Sequence, residues 1–299
     1  MERGKSHFMG KVLLEDIIRA GQTLKGVINK TPLHRHDLLS EEYQCNVYLK
    51  REDLQVVRSF KLRGAYNMIS NIPKERLVNG VVCASAGNHA QGVAYSCKAL
   101  GIKGTIYVPS TTPKQKISSI KRFGGDFVEV IQIGDTFDDA SNKAKTHCEE
   151  TNKTFVHPFD DPLVIAGQGT IGMEILDAME TDVDFVFGGV GGGGLMAGVG
   201  RAIKSLSPNT QVIGVEATGA PSMYESFKQN AIVTLPQIDN FVDGTAVKRV
   251  GDLTFHICRE VLDDIVLVTE GRVCTKILEM YNNSAIVVEP AGALPIAAL

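Results

Sequence analysis

The sequence predicts an α/β fold built on mainly parallel sheets. Short apolar runs of strand length alternate with amphipathic stretches of helix length, which is the pattern of repeated strand–helix–strand units. The chain has 299 residues, of which 43% are hydrophobic and 22% are charged, and this is enough for about two globular domains. The sequence shows no internal repeat and no obvious linker, so we expect two α/β layers that are either interleaved or packed tightly, with a cleft between them.

The candidate elements follow from this alternation in chain order. Short runs of apolar residues predict strands at Val47–Leu49, Gly80–Ala84, Thr105–Val108, Phe127–Ile131, Phe185–Gly188, Val212–Glu216, Ile265–Val268 and Ile286–Glu289. Longer stretches with apolar residues at helical spacing predict helices at Leu13–Ile28, Lys61–Ile72, Gln91–Leu100, Lys114–Phe123, Phe137–Glu150, Ile165–Met179, Leu195–Ser207, Leu253–Val261, Val273–Tyr281 and Ala291–Leu299.

Composition excludes several classes of function. The formal net charge is −3 with both signs spread along the chain, so we expect no broad basic face and no nucleic-acid partner. The six cysteines form no CxxC pair, which favours free thiols in a reducing, cytoplasmic compartment. The longest apolar run, Phe185–Gly200, is rich in glycine and shorter than a membrane span, so no membrane segment is expected.

A run of glycines between a strand and a helix, Gly188–Gly194, is the first candidate site. Backbone N–H groups of such a loop, at the positive end of a helix dipole, bind phosphate, and glycine lets the backbone approach the phosphate oxygens. A flexible linker is disfavoured because linkers are polar and this run lies between apolar segments. The run also fits the dinucleotide pattern GxGxxG, with Glu216 where such a fold places its ribose-binding acid. The loop alone therefore leaves a nicotinamide enzyme open.

Two further segments carry candidate polar chemistry. Lys61 follows Phe60 at the predicted start of a helix, where a partly desolvated amine can act as a nucleophile; a surface lysine on an amphipathic helix is the alternative. The turn Ser85–His89 lies between a predicted strand and a helix, which suits it to bind a carboxylate. His89 itself is interpreted either as an acid or base, or as a structural histidine.

Together these segments resemble the fold-type II pyridoxal-phosphate enzymes, and among them the serine/threonine dehydratases. The resemblance runs from about Thr31 to Ala293 and rests on S-F-K-x-R-G-A at 59–65, S-A-G-N-H-A-Q-G at 85–92 and the glycine loop. Further matches lie at 50–55, 167–170, 247–252 and 289–293, and the last two resemble the biosynthetic branch of the family. The resemblance implies a fold like that of the tryptophan synthase β chain, with two open, twisted, mainly parallel sheets flanked by helices.

The resemblance also implies a role for each matched residue. Lys61 would hold pyridoxal 5'-phosphate through a covalent imine and later take the Cα proton, while Phe60 would lie beside the cofactor and Asn88 would bond its ring hydroxyl. The residues implied to hold the phosphate are Gly191, Gly192, Gly193, Gly194 and Leu195. The residues implied to bind the substrate carboxylate are Ser85, Ala86, Gly87, Asn88 and His89.

The implied reaction is the dehydration and deamination of L-threonine, and less well of L-serine, to 2-oxobutanoate or pyruvate and ammonia, the first step toward isoleucine. Racemases that resemble this chain carry a serine where it has Ala86, so we expect elimination with little racemisation. Their metal site is matched by Glu216 and Ala220 but not by Ser222, so no metal is expected. A serine racemase/dehydratase, a β-replacing synthase and the nicotinamide dehydrogenase stay open as alternatives.

The resemblance implies a large cofactor-binding domain from residues 1–56 and 158–299, and a small domain from residues 57–157. In the family a further strand, whose serine faces the pyridine nitrogen, and a regulatory domain in the biosynthetic branch follow the position of Leu299, so a C-terminally truncated copy is expected. We also expect a homo-oligomer, either a dimer or a tetramer, that acts on a small amino acid. The acidic pairs are expected to cap helices or face solvent rather than catalyse, at Asp138–Asp139, Asp160–Asp161 and Asp263–Asp264.

Overall fold

The computed structural model describes residues 11–299, which form two compact units. One unit contains the chain up to Ile18, Lys30–Asp53 and Phe159–Leu299, and the other contains Arg19–Asn29 and Leu54–Pro158. The domain boundaries implied by the sequence, 1–56 with 158–299 and 57–157, stay a prediction, and their first ten residues lie outside the described part.

Strands and helices alternate along most of the chain, as the sequence predicts. The strands are β1 (Leu33–Arg35), β2 (Tyr48–Lys50), β3 (Val81–Ala84), β4 (Gly104–Val108), β5 (Val128–Gln132), β6 (Thr154–Phe155), β7 (Phe185–Gly189), β8 (Gln211–Ala217) and β9 (Asp264–Val268). The α-helices are α1 (Leu14–Leu24), α2 (Asp37–Glu42), α3 (Lys61–Ser70), α4 (Lys74–Leu77), α5 (Asn88–Leu100), α6 (Lys114–Gly124), α7 (Phe137–Thr151), α8 (Pro162–Ala178), α9 (Gly194–Leu206), α10 (Ser222–Gln229), α11 (Asp252–Val261), α12 (Glu270–Ser284) and α13 (Pro290–Ala297).

The two larger sheets are parallel throughout, which confirms the predicted fold class. In the unit with Leu54–Pro158 the strand order is β5-β4-β3-β6, and in the other unit it is β7-β8-β9. Strands β1 and β2 pair in an antiparallel ribbon. The strands of a parallel sheet are buried on both faces, and β3 and β4 are buried along their whole length.

One predicted element is wrong and several short ones were not predicted. Ile286–Glu289 has the composition of a strand, but it pairs with no strand of the described chain and Val287 is 77% exposed. It follows Ala285, whose left-handed backbone (φ 53°) ends α12. The unpredicted elements are β1, β6, α2, α4 and α10, and all of them except α10 have six residues or fewer, which is too short to show a helical period.

Glycines bring α8 and α9 into close contact beside the β7-β8-β9 sheet. A Cβ added at Gly198 would lie 2.6 Å from the backbone nitrogen of Gly169, and one added at Gly172 would lie 2.9 Å from the carbonyl oxygen of Val199. Small residues at these positions let the two backbones approach each other. The matched segment 167–170 therefore serves helix packing, which fixes the direction in which α9 leaves the glycine loop.

Within residues 11–299, no helix combines the length and the apolar character needed to cross a membrane. The six cysteines are all free thiols.

Candidate active site

Lys61 is the first residue of α3, as the sequence predicts. Its side chain is half-buried, and its Nζ donates a hydrogen bond of 2.9 Å to the carbonyl oxygen of Pro158. The same Nζ lies 5.5 Å from the centre of the Phe60 ring. The partial burial of its side chain distinguishes Lys61 from an exposed lysine such as Lys103, whose Nζ also donates to a backbone carbonyl, that of Asp126. The amine is held at one place by the backbone of its own unit.

The turn between β3 and α5 contains the predicted carboxylate-binding residues. Ser85 continues the sheet by donating its N–H to the carbonyl of Tyr107, and its Oγ accepts the N–H of Gly87 at 3.2 Å. Helix α5 then begins at Asn88, so the turn lies at the positive end of a 13-residue helix. A short polar turn at a helix N-terminus, directly after a parallel strand, is an arrangement that favours an anion.

His89 is a structural histidine in this turn. Its side chain is buried, and Nε2 lies 3.0 Å from the carbonyl oxygen of Val156. Burial, and secondly the charge of Lys61, lowers the pKa of His89 to about 3. The ring is therefore neutral at physiological pH and holds the 156–158 segment, whose Pro158 carbonyl receives the lysine. An acid–base role for the His89 side chain is disfavoured.

Helix α5 also supports Lys61 from behind. A Cβ added at Gly92 would lie 3.1 Å from the carbonyl carbon and oxygen of Lys61 and from the backbone nitrogen of Leu62. The glycine that ends the motif at 85–92 thus lets α5 contact the first turn of α3. The structure therefore brings Lys61 and the turn 85–89 together in one unit.

The glycine loop belongs to the other unit, where it joins β7 to α9. Val190 still bonds to the sheet through its N–H and the carbonyl of Val215, and Gly193 caps α9 with a left-handed backbone (φ 94°). The residues predicted to hold the phosphate, Gly191 to Leu195, are thus the turn and first residues of a 13-residue helix.

Each of these glycines is tightly packed on one side. A Cβ added at Gly191 would lie 2.9 Å from Thr245 Cα, one at Gly193 would lie 2.7 Å from Met223 Cε, and one at Gly194 would lie 2.8 Å from Phe159 Cβ. Glycine is therefore required here by protein neighbours as well as by any ligand. The glycine pattern in the sequence indicates only the ligand.

Glu216 has a structural task that the sequence did not indicate. Its side chain is fully buried, and its two carboxylate oxygens accept the N–H groups of Met223 (2.8 Å) and Tyr224 (2.7 Å) in the first turn of α10. Burial raises the pKa of Glu216 to about 8, against the lowering effect of those two hydrogen bonds. Because the side chain is fully buried, this carboxylate does not offer a ribose the acceptor that a nicotinamide site needs.

The positions compared with the metal site of the racemases, where no metal is expected, lie in the same region: Glu216 in β8 and Ser222 at the start of α10. Ser222 Oγ is buried and has no hydrogen-bond partner within residues 11–299. No group of three His, Cys, Asp or Glu side chains that could hold a metal ion is found in that part of the chain.

The residues present fit pyridoxal phosphate. A phosphate dianion suits the N–H groups of a glycine turn at the positive end of α9, and an aldehyde suits a half-buried amine such as that of Lys61. A third observation concerns Gly87: a Cβ there would meet no atom of the described residues within 4 Å, and its φ of −113° is not left-handed. The space beside Gly87 is therefore open, which leaves room for a ligand at this turn.

The fold and these residues define a pyridoxal-phosphate enzyme. The chain belongs to the family of pyridoxal-phosphate dependent enzymes, which matches residues 24–299. Its activity therefore depends on pyridoxal phosphate, and the nicotinamide alternative is not supported.

Individual proteins that are similar to this chain indicate a more specific activity than the family does. The chain is 60% identical over 291 residues to the biosynthetic L-threonine dehydratase IlvA of Halalkalibacterium halodurans, which covers 97% of this chain and 70% of that protein. Among solved structures, the processed form of threonine deaminase isoform 2 from Solanum lycopersicum has a TM-score of 0.91 and 41% identity, over 99% of this chain and 83% of the other. Maize serine racemase has the same TM-score of 0.91 at 30% identity, over 96% and 86% of the two chains.

Sequence reasoning missed several residues that shape these sites. Pro158 and Phe159 carry no motif, yet one receives the Lys61 amine and the other covers the glycine loop. Ser59, inside a matched motif, has a buried Oγ with no hydrogen-bond partner within residues 11–299. Asp160 and Thr254 are two further residues that sequence reasoning missed. The matched segment 247–252 ends two residues before Thr254 and was the nearest sequence signal for it.

Proposed function

We propose that this chain catalyses the dehydration and deamination of L-threonine to 2-oxobutanoate and ammonia, and converts L-serine less well to pyruvate and ammonia. The observation that supports this most is the 60% identity to a biosynthetic L-threonine dehydratase over 97% of the chain, together with Lys61 at the first position of α3. Overall, one threonine gives one 2-oxobutanoate and one ammonia, because the water lost in dehydration is regained when nitrogen leaves.

In this proposal the residues of the chain have two kinds of role, cofactor binding and proton transfer. When bound, pyridoxal phosphate supplies an electron sink for the negative charge that develops at Cα. In this proposal Gly191 to Leu195 bind the phosphate, Asn88 bonds the ring hydroxyl and Phe60 lies beside the ring. Lys61 Nζ, held by the Pro158 carbonyl at 2.9 Å, holds the cofactor and then takes the Cα proton.

The turn 85–89 orients the substrate. In this proposal the hydroxyl of Ser85 and the N–H groups of the turn and of the first residues of α5 bind the substrate carboxylate. The neutral His89 side chain stays bonded to Val156 and contributes only its backbone. A carboxylate fixed at this turn limits the rotation of the substrate, which is how a binding group assists loss of the β-hydroxyl.

The residue at position 86 distinguishes the proposed dehydratase activity from racemase activity. The fold does not make that distinction, since serine racemase and threonine deaminase structures fit the chain with the same TM-score. Racemisation needs a second proton donor or acceptor on the opposite face of Cα, and the methyl group of Ala86 cannot move a proton. We therefore expect pyruvate and very little D-serine from L-serine.

Reduction with borohydride tests the central residue. The protein loaded with pyridoxal phosphate is reduced and digested, and we expect the cofactor on the peptide that contains Lys61, with 2-oxobutanoate formed from threonine before reduction. Lys61→Ala should lose both the labelled peptide and about three orders of magnitude or more of activity.

Lys153→Ala is the matched control. Lys153 is also half-buried in the same unit, and its Nζ donates to Thr105 Oγ1 at 3.0 Å. This variant should keep both the label at Lys61 and the activity. Cofactor fixed at another lysine, or a loaded enzyme that forms no 2-oxobutanoate from threonine, would refute the proposal.

A further inference from the structure

One face of α11 is bonded to the carbonyl groups of the glycine loop. The hydroxyl of Thr254, a fully buried residue, donates to the Gly192 carbonyl oxygen at 2.6 Å, and the N–H of Gly251 reaches the same oxygen at 3.3 Å. One turn further along, Cys258 Sγ lies 3.6 Å from the carbonyl oxygen of Gly193. Two successive carbonyls of the loop are therefore directed toward α11.

This arrangement decides where the N–H groups of the loop point. In a trans peptide the C=O of one residue and the N–H of the next are rigidly opposed. The Gly192 carbonyl faces α11, so the N–H of Gly193 faces away from α11, and the same relation holds for the Gly193 carbonyl and the Gly194 N–H. Hydrogen bonds to the carbonyl oxygens of these two peptides therefore fix the direction of the N–H groups that would bind the phosphate.

Helix α11 is itself fixed by a residue next to the loop. The Asp160 carboxylate accepts the N–H of Asp252 and the N–H of Thr254, each at 3.0 Å. The preceding residue, Phe159, contacts the positions of Gly192 and Gly194. Asp160 therefore holds the first turn of α11 to the segment that also covers the loop, and Thr254 is the side chain that links α11 to the loop.

We propose that Thr254, held by Asp160, is a positioning residue for the cofactor phosphate: its hydroxyl orients the Gly192–Gly193 peptide so that the loop N–H groups face the phosphate. This inference rests on the proposed phosphate site in the glycine loop. Thr254 does not touch the phosphate in this proposal. Glycine restricts the backbone least, so the orientation of this peptide depends on such contacts.

The test compares two ligands on Thr254 variants of the whole chain. Thr254→Val keeps the shape of the side chain and removes the hydroxyl, and we expect the dissociation constant for pyridoxal phosphate to rise about tenfold, which corresponds to about 1.4 kcal/mol. Binding of pyridoxal, which lacks the phosphate, should change less than twofold. Thr254→Ser, which restores the hydroxyl, should bind pyridoxal phosphate as the wild type does, and the ³¹P resonance of the bound phosphate should shift only in the valine variant.

Thr210→Val is the matched control. Thr210 is also buried, and its Oγ1 donates to a backbone carbonyl, that of Val183, at 2.7 Å, but it lies just before β8 and makes no contact with the loop. It should leave both dissociation constants unchanged. If Thr254→Val does not fold, Thr254→Ala replaces it in the test. We expect the same rise in its dissociation constant for pyridoxal phosphate.

Three results would overturn the inference. One is pyridoxal phosphate binding within twofold of wild type in the Thr254→Val or Thr254→Ala variant. Another is a loss of pyridoxal affinity in the Thr254 variant that equals the loss of pyridoxal phosphate affinity. The third is an equal loss of pyridoxal phosphate affinity in Thr210→Val. Failure of the wild type itself to bind pyridoxal phosphate would instead contradict the proposed function, so the two failures are distinguishable.

Discussion

At the scale of single residues, glycines in the two candidate sites differ in what requires them. A side chain at Gly191, Gly193 or Gly194 would collide with protein atoms, whereas one at Gly87 would meet no described atom within 4 Å. The two kinds of glycine look alike in a motif. Only the coordinates separate a glycine needed for packing from one that leaves room for a ligand.

Gly87→Ala should therefore affect substrate binding and spare stability. The added methyl group would occupy space in the turn that we assign to the substrate carboxylate, so the KM for L-threonine should rise on the order of tenfold. The melting temperature should stay within the error of the measurement, since no neighbour has to move. Steady-state kinetics and a thermal melt on the same preparation check both statements.

Gly271→Ala is the control for this prediction. Gly271 also has no described neighbour within 4 Å of an added Cβ, but it lies in the first turn of α12. The change should leave KM unaltered and stabilise the chain slightly, by about 0.4–1 kcal/mol, because alanine restricts the unfolded chain more than glycine does. An unchanged KM in Gly87→Ala would mean that the turn does not bind substrate.

At the scale of elements, two of the three acidic pairs contain a residue that caps a helix, whereas Asp263 of the third pair accepts the N–H of Val212 in a strand. Asp139 completes a capping box with Thr136 at the start of α7, and Asp161 is the N-cap of α8. Asp160 performs the same function for α11 from a distant part of the sequence, which local reasoning could not assign. Caps within one segment are readable from sequence because the donor and acceptor are only a few residues apart.

Asp161→Ala should destabilise the chain by about 1 kcal/mol. The Asp161 carboxylate accepts the N–H groups of Leu163 at 2.8 Å and Val164 at 3.2 Å. The first N–H groups of any helix lack the intrahelical carbonyl that later residues bond to. Urea unfolding gives the free-energy difference. Asp161→Ser should recover most of it, because serine also caps helices.

The exposed Asp182 provides the reference for the cap. Asp182→Ala removes the same charge from a loop of the same unit and should change the unfolding free energy by less than about 0.5 kcal/mol. Equal stability of the two alanine variants would show that the Asp161 cap contributes nothing.

At the scale of the whole molecule, the buried Glu216 connects stability to pH. Its pKa is about 8 in the folded chain and 4.5 in the absence of perturbation. Between these two values the folded chain binds more protons at this residue than the unfolded chain does. The resulting contribution to stability is complete below pH 4.5 and is lost as the pH rises through about 8.

Glu216→Gln should flatten this dependence. The wild type should lose up to about 1.4 kcal/mol of unfolding free energy per pH unit at this residue between about pH 5 and pH 8, and the glutamine variant should not. The slope of unfolding free energy against pH is the quantity to compare, since the variant also changes the capping of α10. Glu180→Gln, at an exposed position, should keep the wild-type slope. Identical slopes in all three proteins would contradict the raised pKa.

The sequence by itself determined the elements that are long or strongly patterned, the glycine loop, the placement of Lys61 at a helix start, and the family. These depend on periodicity and on residues adjacent in the chain, so they are local. The tertiary structure decided that Ile286–Glu289 is not a strand, because a strand exists only with a pairing partner. It also decided that His89 holds Val156, that Pro158 receives the Lys61 amine, and that Thr254 holds Gly192. Each of these contacts joins residues more than sixty positions apart, and only the folded chain brings such residues together.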